Sequence, residues 1–358
     1  MNHTLTAVMA ATALSIIGAA EAPACTGITL RATDGSVVAA RTVEWAGSRY
    51  ESQAVAVPRG YEQQSYTSRG QDGMKFKARY GFVGLSTALP QFIVDGLNEH
   101  GLCAELFFFP GSGKYPELDS ALLDRTIGDM QLVSYLLGEC RDLAEVKEAM
   151  KHVRVTALEP SGSTCHWRLT DASGKQIVME IIDGEVRYYD SIGVLTNAPE
   201  YTWHLTNLRN YINLYSGAAP SHQFDGIELT PLSGGSGLLG LPGDYTSPSR
   251  FVRAAFFQDC APAQATGLKA VEQAMVILNN FDIPIGTAWA KGDTVPDMHT
   301  STQWAIATDL KARKIYYRTG INHHIRCIDV AAINFAKQPY KVLALDDVTS
   351  EPVTPVSF

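Results

Sequence analysis

The sequence lacks the cysteine patterns that build disulfide scaffolds, metal centres or redox motifs. Its six cysteines are too few for a disulfide framework in a chain of 358 residues. None of them forms a C-x-x-C pair, and none has the spacing of zinc ligands. No metal or cofactor is therefore predicted. Buried free thiols are favoured for most of the later cysteines, although one or two could pair in an oxidising compartment: Cys103, Cys140, Cys165, Cys260 and Cys327.

The chain also lacks an excess of positive charge. It has 29 Lys and Arg against 37 Asp and Glu, so its formal net charge is −8, and only 18% of its residues are charged. Such mild acidity gives no reason to expect nucleic acid or an anionic membrane as a partner. Repeats, low-complexity tracts and a clear linker are absent as well, so we expect one large domain.

A long apolar run occurs only near the N-terminus. Residues Leu5 to Ala20 are almost uncharged, and this run is short for a membrane span of ~20 residues but long enough for a signal peptide. Ala22 and Ala24 occupy the small-residue positions of an A-x-A cleavage site. The sequence therefore predicts a signal peptide over residues 1–24, a catalytic domain over 25–358, no membrane insertion after processing, and a periplasmic or secreted protein.

Cleavage after Ala24 would give a mature chain that begins with Cys25, so that one residue carries a thiol and a free α-amine. Two alternatives are open. A cut after Ala22 would place Pro23 directly after the scissile bond, where proline is unfavourable. Cys25 could also be a lipoprotein acceptor with an acylated amine, but such sites usually have Leu three residues before the cysteine and a small residue two before it.

The mature region consists of short β-branched segments with a few helical ones between them. The runs on either side of Asp34–Gly35 predict two hairpin strands within Gly27 to Thr42. Phe92 to Phe109 predicts a second hairpin whose later arm is buried on both faces. Together with the remaining segments, this pattern favours an α+β fold in which two antiparallel sheets pack together with helices outside. The other predicted strands are Ala54–Pro58, Val83–Leu85, His166–Thr170, Gln176–Ile182, Val186–Tyr189, Gln303–Asp309, Lys314–Arg318 and Ile325–Val330, and the predicted helices are Gly128–Leu137, Asp142–His152, Asn207–Leu214, Ser249–Phe257 (capped by Ser249) and Leu268–Asn279.

Several segments, taken in order, resemble the choloylglycine hydrolase family. The mature chain would begin Cys25-Thr26-Gly27, and Ala40-Arg41-Thr42-Val43-Glu44-Trp45 follows. Further matching segments are Asn98–Leu102, Leu195–Asn197, Leu205–Tyr211, Pro242–Asp244, Ser247–Arg253 and the C-terminal Trp304, Asp309 and Tyr316–Thr319. This family contains conjugated bile acid hydrolases and penicillin V acylases, and it belongs to the N-terminal nucleophile hydrolases. The resemblance implies a four-layer αββα sandwich, hydrolysis of a linear amide in a small molecule, and a homotetramer.

The resemblance implies that Cys25 is the nucleophile. The pKa of a free thiol is about 8.5, and that of an unperturbed α-amine is about 7.7–8.0, so the amine of the same residue can accept the thiol proton. No histidine base is then needed. His100, His166 and His204 are accordingly expected to be structural or exposed.

The resemblance also implies roles for four further side chains. Arg41 would favour the thiolate through its charge, and Glu44 would hold the α-amine. Asn197 would contribute its side-chain amide to an oxyanion hole, and Arg250 would be a second arginine near the nucleophile. Local sequence alone favours other interpretations of three of these residues: a strand-surface ion pair of Arg41 with Glu44, and a turn residue at position 197. For Arg250, local sequence leaves a surface position in the first turn of a helix equally open.

Two positions depart from the family pattern. Glu44 stands where the family usually has Asp. The glutamate side chain is longer by one methylene, which could shift the α-amine by about 1 Å. Phe108 stands where bile acid hydrolases commonly have an oxyanion-hole Asn, so that only its backbone N–H could donate there. The second departure weakens the inference to conjugated bile salts and leaves amide hydrolysis intact.

Three functional hypotheses remain. The first is an exported amidase that acts on conjugated bile acids, with penicillin V or acyl-homoserine lactones as alternative substrates. The second is a binding protein, lipid-anchored or soluble, on the same scaffold with a blocked N-terminus. The third is a ceramidase-like or peptide amidase activity of the same nucleophile.

Overall fold

The computed structural model describes residues 24–159, 164–287, 292 and 294–358. The predicted signal peptide lies outside the described residues except for Ala24. The strands, in chain order, are β1 Cys25–Arg31, β2 Val37–Glu44, β3 Ser52–Val57, β4 Glu62–Gln64, β5 Lys75–Lys77, β6 Phe82–Thr87, β7 Ile93–Asn98, β8 Cys103–Phe109, β9 Thr126–Gly128, β10 Arg154–Thr156, β11 Thr164–Thr170, β12 Gln176–Ile182, β13 Glu185–Asp190, β14 His222–Phe224, β15 Ile227–Leu229, β16 Thr302–Asp309, β17 Lys314–Thr319, β18 Asn322–Asp329 and β19 Lys341–Ala344. The α-helices are α1 Leu132–Glu139, α2 Leu143–Ala149, α3 Tyr201–Leu208, α4 Ser247–Cys260 and α5 Gly267–Leu278.

The smaller of the two main sheets has the order β1-β2-β16-β17-β18, and all of its pairs are antiparallel. Strand β2 lies between β1 and β16, and all eight of its residues are buried. Where β2 and β16 face the helices, Ala40 is paired with Ala307. Ala270 and Ala274 of α5 belong to the same buried cluster. Small side chains on both partners let the helix approach this sheet closely.

The larger sheet has the order β13-β12-β11-β8-β7-β6-β3-β19 and is antiparallel as well. Helix α1 contacts its centre at β7 and β8. Residues from both sheets, such as Ile306 of β16 and Trp167 of β11, share one buried apolar cluster. The layers are therefore helix, sheet, sheet and helix, which confirms the predicted αββα sandwich.

The hairpins were predicted well, whereas three helix starts were wrong. Helix α1 begins at Leu132 rather than at Gly128, after a short 3₁₀ turn at Asp129–Gln131. Helix α3 begins at Tyr201 rather than at Asn207. The sequence did not reveal this start because only Tyr201 and His204 of the helix are buried, and so narrow a buried stripe leaves little hydrophobic periodicity. Helix α4 begins at Ser247 with Thr246 at the N-cap position. Its first turn accommodates a proline because the N–H groups there have no helical partner. The Ser249 hydroxyl, predicted to cap this helix, instead donates to Asp244 Oδ2 at 2.6 Å.

The described part of the chain contains neither a long apolar helix nor a cluster of metal-ligating side chains. No helix in it combines the length and apolar character that a membrane crossing requires. No three His, Cys, Asp or Glu side chains in these ranges are grouped so that they could hold a metal ion.

Candidate active site

Cys25 is the first residue of β1 and is only 4% exposed. Its nitrogen donates to Asn197 Oδ1 at 2.9 Å, and its carbonyl oxygen accepts from Arg250 Nη1. Both backbone groups at the start of this strand are therefore held by side chains from distant parts of the sequence.

A backbone bridge brings the segment that contains Asn197 to β1. Gly27 N donates to Leu195 O at 2.7 Å, and Leu195 N donates to Gly27 O at 3.2 Å. Position 27 has no room for a side chain, since a Cβ there would lie 2.9 Å from Arg168 Cζ and 2.9 Å from Phe107 Cζ. Glycine at this position therefore keeps β1 in contact with the other sheet two residues after Cys25.

The side-chain amide of Asn197 connects three parts of the site. Its Oδ1 accepts from Cys25 N and, at 2.7 Å, from Arg250 Nη2. Its Nδ2 donates to the carbonyl oxygen of Phe108 at 2.7 Å. Because every amide atom that can form a hydrogen bond has a partner, the orientation of this side chain is defined.

Two buried histidines and a serine hold the backbone of the same segment. The Asn197 N–H donates to Ser247 Oγ at 3.0 Å, and the carbonyl oxygens of Thr196 and Asn197 accept from Nε2 of His166 and His204 at 3.1 and 2.9 Å. Burial lowers the pKa of His204 to about 4, so this ring is neutral at pH 7 and carries its proton on Nε2. Sequence reasoning missed these contacts, because their acceptors are backbone carbonyls, which leave no signature in the side-chain pattern.

Arg250, on α4, reaches β1 from the helix layer. It is buried, and its guanidinium donates to the Cys25 carbonyl, to Thr26 Oγ1 at 2.9 Å and to Asn197 Oδ1. Its Nε donates to Tyr245 O at 2.9 Å. The interpretation of Arg250 as a surface residue is therefore wrong.

Arg41, on β2, enters the space between the two sheets. Its Nη1 donates to Leu106 O and, at 3.3 Å, to Val94 O, and its Cζ lies 3.9 Å from the centre of the Phe107 ring. Arg168 crosses in the opposite direction, from β11, and donates to Ile28 O at 3.0 Å. The two arginines thus join the sheets beside Phe107, whose ring centre lies 3.9 Å from Arg41 Cζ and 5.8 Å from Arg168 Cζ.

Opposing effects act on the Cys25 thiol. Burial, the largest of them, raises its pKa, and the charge of Glu44 raises it further. Arg41 and Arg250 lower the pKa, as does a hydrogen bond from the Glu44 backbone. The pKa of the Cys25 thiol nevertheless remains above that of an ordinary cysteine. A buried thiol of this kind needs a nearby base to become a thiolate at neutral pH.

Glu44, the last residue of β2, is 2% exposed. Burial raises the pKa of its carboxyl to about 8, against the opposing effects of Arg250, Thr42 and Arg41. Among the described residues, neither carboxylate oxygen has a hydrogen-bond partner of good geometry, and neither does the nearby Thr42 hydroxyl. A surface ion pair with Arg41 is therefore excluded, and Glu44 stands beside Cys25 as a buried carboxyl with no ion-pair partner within contact distance among the described residues.

Phe108 lies near the end of β8, and its carbonyl oxygen faces Asn197. The N–H and C=O of one strand residue point to the same side, so the Phe108 N–H also faces the Asn197 side of the strand. Its proposed use as an oxyanion donor stays a prediction. The structure thus brings all six predicted site residues to one place, at the start of β1: Cys25, Arg41, Glu44, Phe108, Asn197 and Arg250.

Comparisons with known proteins agree with this geometry. A family model described as "Linear amide C-N hydrolases, choloylglycine hydrolase family" matches residues 25–350. A bile salt hydrolase/transferase of Clostridium perfringens is 29% identical over 316 residues, which cover 86% of this chain and 92% of that protein. A penicillin V acylase of Pectobacterium atrosepticum is 25% identical over 333 residues, which cover 86% and 81%.

A crystal structure of a variant of the conjugated bile acid hydrolase from C. perfringens superimposes with a TM-score of 0.79 at 26% identity. The match covers 93% of this chain and all of that one. The similarity therefore extends over both sheets and the helices on them.

Proposed function

The chain belongs to the choloylglycine hydrolase family of linear amide C–N hydrolases, and we propose that it acts through Cys25 as an N-terminal nucleophile. In this proposal, cleavage after Ala24 frees the α-amine of Cys25. The substrate class is conjugated bile acids, with penicillin V and acyl-homoserine lactones as alternatives. The relative at 29% identity is named a bile salt hydrolase/transferase, and the relative at 25% identity is named a penicillin V acylase. The higher identity to the former favours conjugated bile acids as the substrate class.

The buried Glu44 carboxyl is the observation that carries the proposal. A carboxyl this deeply buried, with no hydrogen-bond partner of good geometry among the described residues, is costly unless a cation or a donor joins it. Val43, the neighbour of Glu44, is paired with Cys25 in the β1–β2 register. A free α-amine at Cys25 would bring a positive charge to this position each time it takes the thiol proton, whereas the peptide nitrogen of an uncut chain cannot.

The reaction follows from these positions. The neutral α-amine takes the Cys25 proton, and the thiolate attacks the amide carbonyl to form a C–S bond. The negative charge on the carbonyl oxygen is stabilised by the second Nδ2 hydrogen of Asn197 and by the Phe108 N–H. The α-ammonium then returns its proton to the leaving nitrogen as the C–N bond breaks, and a thioester remains.

Water completes the cycle. The α-amine, neutral again, takes a proton from a water molecule that attacks the thioester. The C–S bond breaks, the thiol is reprotonated and the carboxylic acid is released. Neither arginine transfers a proton in this cycle: Arg250 holds Cys25 and Asn197 in place, and Arg41 joins β2 to the other sheet.

A substrate panel tests the proposal. With Cys25 at the N-terminus, we expect hydrolysis of glycine- and taurine-conjugated bile acids, measured as release of the free amino acid. Faster turnover of penicillin V or of an acyl-homoserine lactone would show that the proposed substrate class is wrong, but it would still agree with the proposed mechanism. Without turnover of any of the three, the binding-protein hypothesis would be favoured.

Export and assembly are further parts of the proposal. We propose that the chain is exported to the periplasm or medium, and that the mature protein is a homotetramer. Support for assembly comes from the β14–β15 hairpin, in which every residue is exposed, including Phe224 and Ile227 at 63% and 62%. A two-stranded hairpin is marginally stable alone, and exposed apolar groups of this size are typical of interfaces.

Charged residues in this hairpin test the assembly. We expect the Phe224→Asp/Ile227→Asp double variant to have a lower mass than the parent protein in light scattering after size exclusion, because two charges would enter an apolar interface. Leu268→Asp is the control, since Leu268 is a half-exposed apolar residue on α5, away from the hairpin. A parent protein that is monomeric at micromolar concentration would contradict the proposal.

A further inference from the structure

The face of the smaller sheet that is turned towards the helices carries three polar residues, Arg318, Thr42 and Glu44. Thr42 on β2 is paired with Ala305 on β16, and Ala305 is paired with Arg318 on β17. Residues directly opposite one another share a face of a sheet, and so do residues two apart on a strand. Arg318, Thr42 and Glu44 therefore lie on the same side of the sheet.

Arg318 is fixed by an ion pair that it forms with Asp282. Its Nη2 lies 2.9 and 2.7 Å from the two carboxylate oxygens of Asp282 and 2.9 Å from Asn279 Oδ1. The arginine side chain is 4% exposed and that of Asp282 is 28% exposed, so the pair is largely shielded from solvent. Such a pair is sensitive to the loss of either partner, because the remaining charge has little water to screen it.

The backbone places Asp282 beside the active site. The next residue, Ile283, donates its N–H to Thr302 Oγ1 at 3.1 Å, and Thr302 is paired with Glu44 in the β2–β16 register. Ser301 N also donates to Ile283 O at 2.8 Å. The segment that carries Asp282 is thus hydrogen-bonded to the strand that lies against Glu44.

We propose that the Asp282–Arg318 pair is a positioning element of the catalytic centre, which keeps a balanced charge behind Glu44 so that this carboxylate can hold the Cys25 α-amine. This inference rests on the proposed function. The charge of Asp282 opposes the ionisation of Glu44, and Arg318 is the main group that offsets the charge of Asp282. The other charged or titratable groups that act on Glu44 or on Asp282 are Arg250 on α4, Arg41 on β2, the Cys25 thiol on β1 and His323 on β18.

Removing the two charges one at a time has opposite consequences. In Asp282→Asn the Arg318 cation is no longer offset, so it favours ionised Glu44 and the neutral α-amine. In Arg318→Gln the Asp282 anion is no longer offset, so it favours the neutral carboxyl and the protonated amine. Because the amine must be neutral to take the thiol proton, we expect the acid limb of kcat/KM to move to lower pH in the first variant and to higher pH in the second, by about 0.5–1 pH unit each.

The double variant and a conservative variant complete the test. Asp282→Asn/Arg318→Gln should return the acid limb close to its original pH, and Arg318→Lys, which keeps the charge, should leave it there. The control is the exposed pair Lys314–Asp329 at 3.1 Å, and we expect Asp329→Asn to leave the profile unchanged. Thermal melting of each variant identifies those that are folded at the assay temperature.

The result separates the inference from the proposed function on which it rests. Shifts of opposite sign support the pair as a positioning element, since general destabilisation would not move two variants in opposite directions. Shifts of the same sign, or no shift in folded variants whose activity still depends on Cys25, would overturn the inference and leave the nucleophile in place. Activity that survives in Cys25→Ala would instead overturn the proposed function.

Discussion

Cys25→Ala is expected to abolish amide hydrolysis, with kcat/KM lower by about 10⁴-fold or more. The proposed mechanism forms its only covalent bond to substrate through Sγ, and alanine offers neither a nucleophile nor a proton for the α-amine to take. The side chain is small and lies at the first position of β1, so the fold should tolerate the change. Steady-state hydrolysis and circular dichroism of the same preparation measure both effects.

Cys140→Ala is the matched control for this variant. Cys140 is as buried as Cys25 but follows α1, on the outer side of the larger sheet. Its loss should lower stability without changing kcat of the folded protein. Substantial activity in Cys25→Ala would rule out the cysteine mechanism.

Asn197→Ala is expected to lower kcat by about 10²–10³-fold, the usual effect of removing one oxyanion donor and equivalent to about 2.7–4 kcal/mol. Its amide also holds Cys25 N and the Arg250 guanidinium, so the nucleophile would lose part of its support as well. KM should change much less than kcat, because the lost interaction forms mainly in the transition state.

Asn98→Ala is the control for the loss of a buried asparagine. Asn98 is fully buried, and its Nδ2 donates to Leu137 O at 3.0 Å and Cys140 O at 2.6 Å at the end of a helix. Its Oδ1 accepts from His100 N and Leu102 N at 3.0 Å each, which supports a turn. We expect this variant to melt at a lower temperature with an unchanged kcat. If Asn197→Ala behaved in the same way, the oxyanion role of Asn197 would be wrong.

The strands were more predictable than the helices. The Asp34–Gly35 turn between β-branched runs located β1 and β2 within two residues at each end, because hairpins depend on local turn geometry and on alternation. Helix α3 was displaced by six residues at its start, since its short buried face is set by contacts with distant segments. The β14–β15 hairpin was missed, because its apolar residues face solvent in the described chain and follow no core pattern.

The side chains of the site could be identified from the sequence, but the contacts that hold them in place could not. The small residues before Cys25 and the resemblance around Arg41 and Arg250 identified side chains that the structure buries at one end of β1. The supporting histidines, His166 and His204, could not be found in this way. They donate to carbonyl oxygens 30 and 7 residues away in sequence, and a carbonyl has no signature in the side-chain pattern.

The free α-amine of Cys25 is the central claim, and one comparison tests it most directly. Two forms of the protein are prepared, one that begins at Cys25 and one that retains Ala24, with each N-terminus verified by intact mass before and after the assay. We expect the first form to hydrolyse its amide substrate and the second to be slower by about 10²–10⁴-fold, the usual contribution of a positioned general base. Equal turnover by a form that still carries Ala24 at the end of the assay would contradict the account.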